Sequence, residues 1–322
     1  MLPALIGLFT QWAGVHKRET TLPIDPKRWL NAQLTALPPI CRNSMLKGLV
    51  SSGLLFFLTW PALAAQAPQH VMSLSMCTDA LLLELLPPER IASVTYLSRQ
   101  ASNSFLWPKA AAVAINYGNS EEVLAEKPDL VLAGTYTTPA ARWLIKRAGI
   151  PMLEVPPANN FEEIRASMRS VAHALGREAL AEELIAKMDA TLRELDSSRP
   201  QRTIRVAGWS GGGSVPGRGT LFDAILTEAG GVNIASSEGL RDGSFDLEQL
   251  LQAHPDVLAY GSDSSTTPSL HSDEALHPLI LKLYAGRRIS YPSALYSCGL
   301  VESADAAVAL RASLLKALQG GT

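Results

Sequence analysis

Two stretches of this chain share one grammar, and together they restrict its fold more than anything else in it. Residues 120–136 (SEEVLAEKPDLVLAGTY) and 245–260 (FDLEQLLQAHPDVLAY) each open with a capping residue and a glutamate in the first helical turn. A Pro-Asp pair ends the helix, and an apolar run of strand type follows, finishing on an aromatic residue. Aligning Lys127-Pro128-Asp129 with His254-Pro255-Asp256 sets Glu121 opposite Glu248. A helix feeding a buried strand is the unit of a parallel α/β sheet, and its recurrence predicts two related lobes.

Between the repeats lies a polar, Ala- and Glu-rich segment, residues 177–197. Leu180, Leu184, Met188, Leu192 and Leu195 recur at helical spacing, with Glu178, Glu182, Lys187, Arg193 and Glu194 mostly around the rest of the surface. Gly176 and Pro200 punctuate its ends. Such a helix is roughly 30 Å long and suited to bridging two bodies. The expected organisation is an N-terminal α/β lobe over 69–176, an interlobe helix over 177–197 and a C-terminal α/β lobe over 201–322. With 322 residues, 47% of them hydrophobic, there is material for two cores. Strands are expected near 70–75, 90–96, 129–133, 151–155, 203–207 and 256–260, with Thr78 or Asp79 capping the first helix and Ser120 the helix of the first repeat.

The front of the chain reads differently. Met45-Leu46-Lys47 opens an apolar run over 48–60, and Pro61-Ala62-Leu63-Ala64 supplies small residues for cleavage after Ala64. A lysine, an apolar stretch too short to span comfortably and an A-x-A end describe a secretory signal over 45–64, not an anchor. Met45 is then the expected initiator and residues 1–44 an upstream extension. No cysteine stands at the cleavage point, so a soluble, exported product is expected, most simply in a bacterial periplasm. Cys41 falls in the extension, which leaves Cys77 and Cys298 either as a disulfide or as free buried thiols. A formal net charge of −2 carries no basic footprint, and nucleic-acid binding is set aside.

Catalytic motifs are weak. Gly208-Trp209-Ser210-Gly211-Gly212 matches the nucleophile elbow G-x-S-x-G, but that elbow must pass directly into a helix, and Gly, Ser and Pro fill the positions up to Thr220. A secreted serine hydrolase built on Ser210 is therefore the alternative from another class. The favoured reading is a glycine-rich loop that brings backbone close to a ligand, with Trp209 offering a flat apolar face. His173, His254, His271 and His277 show no paired metal-ligand spacing, so no metal site is expected. Tyr96, Tyr117, Tyr136, Tyr260, Tyr291 and Tyr296 mostly follow expected strands, at the carboxyl edge where open α/β sheets place ligands.

The signal, the unit NSEEVLAEKPDLVLAGTY, the helical spine, the TEAGGVNIA segment and the second unit FDLEQLLQAHPDVLAY together resemble a substrate-binding protein of an ABC importer. The resemblance covers residues 69–318 and is to the class with a rigid interlobe helix that serves iron–siderophores, haem and vitamin B12. It implies two Rossmann-like lobes, binding without catalysis, no cofactor, and a monomer that delivers a metal chelate to a permease dimer with its ATPase. It further implies that Glu121 and Glu248 dock on the permease. Ligand contacts are expected from Tyr96, Arg99, Tyr117, Tyr136, Trp209, Tyr260 and Tyr296, with Arg99 or Arg218 meeting an anionic group. An iron–siderophore is favoured over a corrinoid, and a corrinoid over haem. A sensor lobe feeding a signalling partner would share this fold.

Overall fold

The computed structural model describes residues 66–209, 215–236, 247–261 and 276–319. The expected signal and the extension ahead of it, Ser210, His271 and the opening of the second repeat at 245–246 lie outside those residues.

Lobe one runs β1 (Val71–Ser73), α1 (Met76–Leu85), β2 (Ile91–Thr95), α2 (Trp107–Ala110), β3 (Ile115–Asn116), α3 (Ser120–Glu126), β4 (Leu130–Gly134), α4 (Pro139–Arg147), β5 (Met152–Val155) and α5 (Phe161–Leu175). Its five strands are parallel in the order β3-β2-β1-β4-β5. β1, β2 and β4 are buried at every position, as expected for a sheet covered on both faces. Helix α6 (Glu178–Ser197) follows. Lobe two then runs β6 (Ile204–Gly208), α7 (Leu221–Glu228), β7 (Gly231–Asn233), α8 (Leu247–Ala253), β8 (Val257–Gly261), a short helix Pro278–Leu283, β9 (Arg288–Tyr291) and the long helix Ser303–Gln319. Its sheet is also parallel, in the order β7-β6-β8-β9. The expected α/β fold of two parallel lobes joined by one long helix is what forms.

The Pro-Asp punctuation has one physical meaning in both repeats. Lys127 and His254 each end their helix in the left-handed region, with φ of 50° and 46°. The following aspartate clamps the start of the neighbouring strand. Asp129 Oδ2 accepts from the N–H groups of Gln69 and His70, and Asp256 Oδ2 accepts from that of Arg205. Each aspartate N–H in turn donates to the matching carbonyl, of His70 or of Arg205.

Three local expectations are corrected. Ser75, and neither Thr78 nor Asp79, caps α1, its Oγ accepting from Thr78 N–H at 3.4 Å. Asp79 is wholly buried one turn on, where its Oδ2 accepts from Thr95 N–H at 3.0 Å, from Thr95 Oγ1 and from Ser98 Oγ at 2.6 Å. Asn119, not Ser120, caps α3, and the Glu122 carboxylate folds back onto the N–H groups of Asn119 and Tyr117. On α6 the buried positions are Ala181, Ile185, Met188 and Leu195, while Leu180, Leu184 and Leu192 pack on the same core half-buried. The stripe is wider than expected because α6 lies against α5 on the lobe-one side and against Ser303–Gln319 on the lobe-two side. Buried Arg311 fixes the latter contact, donating to the carbonyls of Leu195, Glu228 and Ala229 at the ends of α6 and α7. Among the described residues no helix is long and apolar enough to cross a membrane.

Candidate ligand-binding cleft

The carboxyl ends of β1, β2, β3 and β4 open onto one cavity of about 380 Å³. Tyr96 directly follows β2, Tyr117 directly follows β3 and Tyr136 stands two residues beyond β4. All three line the cavity, with relative exposures of 40%, 63% and 90%. Tyr96 and Tyr117 lean together, their ring centroids 5.3 Å apart at 32°. Asp79 steadies this corner, because its three hydrogen bonds hold the residues on either side of Tyr96. Gly134 is needed at the end of β4, where any Cβ would collide with the Ser75 side chain that caps α1.

Lobe two meets this cavity through Ser297 and Gly299. Gly299 abuts lobe one so closely that a Cβ there would run into the Ala158 carbonyl and Ile164. A second cavity of about 270 Å³ adjoins the first, sharing Cys77, Pro157, Ala158, Ser297 and Gly299 with it. Its far wall is aromatic: Tyr291 and Tyr296 lie 4.4 Å apart by centroid, and Phe222 lies 5.3 Å from Tyr291. Burial pushes the Tyr291 phenol up to about 12 and raises that of Tyr296 as well. Both stay neutral at physiological pH and can act as hydrogen-bond donors.

Where the cavities meet, Cys77 and Cys298 form a disulfide with Cα atoms 5.2 Å apart. Of the two states left open by the sequence, this is the one the fold adopts. It ties the first turn of α1 to the loop ahead of Ser303–Gln319. Farther along α1, Glu84 meets the half-buried Glu302 of lobe two, and Lys109 pairs with Glu84 at 3.2 Å. Burial, with the Glu84 carboxyl beside it, pushes Glu302 up to about 7.

The predicted ligand residues divide. Tyr96, Tyr117, Tyr136 and Tyr296 come to the cleft. Trp209 does not: it is completely buried among Ala207, Val215, Leu250 and Leu258 in the core of lobe two. Arg99 lines neither cavity, since its guanidinium donates to the carbonyls of Ala110 and Val113. Arg218 donates to Ser236 O beside a separate surface hollow of lobe two. Tyr260 packs half-buried against the Trp209 cluster and is hydrogen-bonded with Arg288; burial pushes it up to about 12, and it too lies outside both cavities. Glu121 and Glu248 are exposed at the second residue of α3 and α8. Reading the sequence missed Thr137, which lines the cavity next to Tyr136, and Phe222, which was assigned only to a helix. Among the described residues no cluster of three or more His, Cys, Asp or Glu is placed to hold a metal ion.

Residues 74–276, well over half of the chain, match the periplasmic binding protein family. The chain belongs to that family. Among solved structures, this periplasmic binding protein resembles the apo haem-binding protein RhuT of Roseiflexus sp. RS-1, with a TM-score of 0.65, 22% identity, and 78% of this chain and 99% of that one covered. It also resembles a possible iron-binding, solute-binding protein of Staphylococcus epidermidis (TM-score 0.62, 18% identity, 78% and 100% covered). The vitamin B12 binding protein BtuF of Vibrio cholerae is similar too (TM-score 0.60, 16% identity, 78% and 98% covered). At these identities the likeness is one of fold. An uncharacterised ABC transporter substrate-binding lipoprotein of Bacillus subtilis, YvrC, is 36% identical over 80 residues, which are 24% of this chain and 26% of that relative. The match thus spans about a quarter of the curated relative's length. Family membership makes the chain a binding protein and not an enzyme.

Proposed function

We propose that this chain is the solute-binding component of an ABC importer, working outside the cytoplasmic membrane and capturing a metal chelate between its lobes. The observation that carries this reading is the cavity of about 380 Å³ at the carboxyl edge of the lobe-one sheet, walled by Tyr96, Tyr117 and Tyr136. Its volume suits a small-molecule site, and exposed phenol rings supply flat faces for the organic shell of a chelate. Solved structures with this fold are named for haem, vitamin B12 and iron, which supports the same ligand class. An iron–siderophore is the favoured cargo; a corrinoid or haem would use the same cleft. Glu121 and Glu248, rigidly mounted on equivalent helices, are the proposed contacts with the two halves of a permease dimer that works with an ATPase. The spine α6 and the Cys77–Cys298 disulfide both tie the lobes, so loading alters the cleft modestly.

The test is a binding screen of the purified protein by intrinsic fluorescence quenching against ferric siderophores, cobalamin and haemin. Saturable binding of one class at micromolar concentration or below, weakened by Tyr136→Ala, is the expected outcome. No saturable binding of any class removes the reading.

A further inference from the structure

We infer that the cleft selects a chelate with no net charge, an uncharged hydroxamate- or amide-bearing complex, and that Thr137 anchors it. This rests on the chelate-receptor reading and specifies its cargo. The walls of both cavities are built from aliphatic, aromatic, hydroxyl and glycine or proline surfaces, with Asn159 the one amide; among the described residues, none that lines them is Asp, Glu, Lys, Arg or His. The two cations the sequence offered for an anionic ligand are spent elsewhere, Arg99 on the carbonyls of Ala110 and Val113 and Arg218 on that of Ser236. The charged groups bonded directly to the backbone of lining residues are carboxyls, Asp79 on Thr95, Glu122 on Tyr117 and Glu163 on Asn159, whose sign repels an anion. An anionic ligand therefore meets no cation on the described walls. Buried without a counter-charge, a trianionic complex loses far more hydration than neutral hydroxyls return.

Thr137 gives the positive half of the argument. The turn after β4, closed by Thr137 N–H donating to Gly134 O at 3.0 Å, leaves Tyr136 almost fully exposed and Thr137 only 7% exposed. The Thr137 hydroxyl is buried without a hydrogen-bond partner, although the residue lines the cavity. Buried hydroxyls are ordinarily satisfied, and a carbonyl or amide of the ligand is the partner this one is missing. Ser75, Thr78 and Ser297, which line the same cavity, present further uncharged groups. Such a set matches amide and hydroxamate oxygens and leaves a catecholate or carboxylate charge unanswered.

The probes are ferrichrome, a neutral ferric trihydroxamate; cyanocobalamin, a neutral corrinoid rimmed with amides; ferric enterobactin, a trianionic tris-catecholate; and haemin. One of the neutral probes is expected to bind about 100-fold or more tightly than the tris-catecholate and haemin, with little change between low and high salt. Thr137→Val is expected to weaken that probe about 10-fold at an unchanged melting temperature, and Thr137→Ser to retain it. Tris-catecholate or haemin binding as tightly as the neutral probes overturns the charge selection and leaves the chelate-receptor reading standing. Thr137→Val without effect on affinity overturns the anchor. Failure of all four probes to bind overturns the chelate-receptor reading itself.

Discussion

Breaking the Cys77–Cys298 disulfide puts a number on the interlobe contact. The bond joins residues 221 positions apart, one in each lobe. Loop-closure entropy for a cross-link of that span amounts to about 5 kcal/mol in the denatured chain. Residual structure in the unfolded ensemble reduces the effect, so a loss of about 2–4 kcal/mol is expected. For a domain of this size each kcal/mol moves the melting temperature by about 2–4 °C, giving a drop of roughly 5–15 °C. The packing of Gly299 on Ala158 and the shared helix α6 remain, so the lobes stay folded. The assay is thermal and urea unfolding of the unreduced protein, of the same protein in dithiothreitol, and of Cys77→Ala/Cys298→Ala. The reduced protein and the double variant should melt together, below the unreduced one, and the variant should ignore the reductant. Two alkylatable thiols in the unreduced protein, or a midpoint indifferent to reductant, would refute the argument.

The remaining predictions follow from the corrected site and the buried acids. Trp209→Ala should destabilise the chain by about 3–5 kcal/mol, because it empties the core of lobe two, while the folded fraction keeps its ligand affinity; a selective affinity loss without destabilisation would return Trp209 to the cleft. Asp79 is pushed up to about 6, mainly by burial, and Glu302 to about 7. Both hold their protons more tightly folded than unfolded, so their stabilisation is complete below about pH 4 and is lost as pH rises through 6 and then 7. The urea midpoint should accordingly fall from about pH 5 to about pH 8, with Asp79→Asn flattening the lower part of the curve and Glu302→Gln the upper; a midpoint that rises over this range contradicts the assignment. Glu121→Lys/Glu248→Lys should leave melting and chelate affinity nearly unchanged while uptake by cells collapses, since exposed helix-end charges contribute little to folding. Normal uptake by that variant would remove the docking role.

How the chain alternates was written locally, and the sequence alone carried it. Apolar runs after Pro-Asp, glycine and proline at element ends, and the helical spacing of 177–197 act over a few residues each, so β1, β2, β4, β5, β6, β8 and α6 were all legible. Three edge strands, β3, β7 and β9, were not, because two to four residues at a sheet margin carry little periodic signal; the edge strand β5 was legible through Gly149 and Pro151 ahead of it. Half of the site followed from the same local rule: a tyrosine just past a parallel strand lies at the carboxyl edge, as Tyr96, Tyr117 and Tyr136 do. That rule failed for Trp209 and Tyr260, which occupy similar places after β6 and at the end of β8. There Val215, Leu250 and Ile280 of neighbouring segments of lobe two pack with the rings in one core cluster, and Arg288 reaches Tyr260.

Sequence by itself therefore determined two parallel α/β lobes, their joining helix and membership of a binding-protein family. Only the tertiary structure decided that Cys77 meets Cys298, that Arg99 is absorbed by backbone carbonyls and that Thr137 is buried at the edge of the lobe-one cavity. These facts depend on groups brought together from distant parts of the chain or on the exact turn of a loop. Side-chain direction beyond a strand end and the approach of one lobe to the other are set by packing, for which no short-range pattern of residues exists.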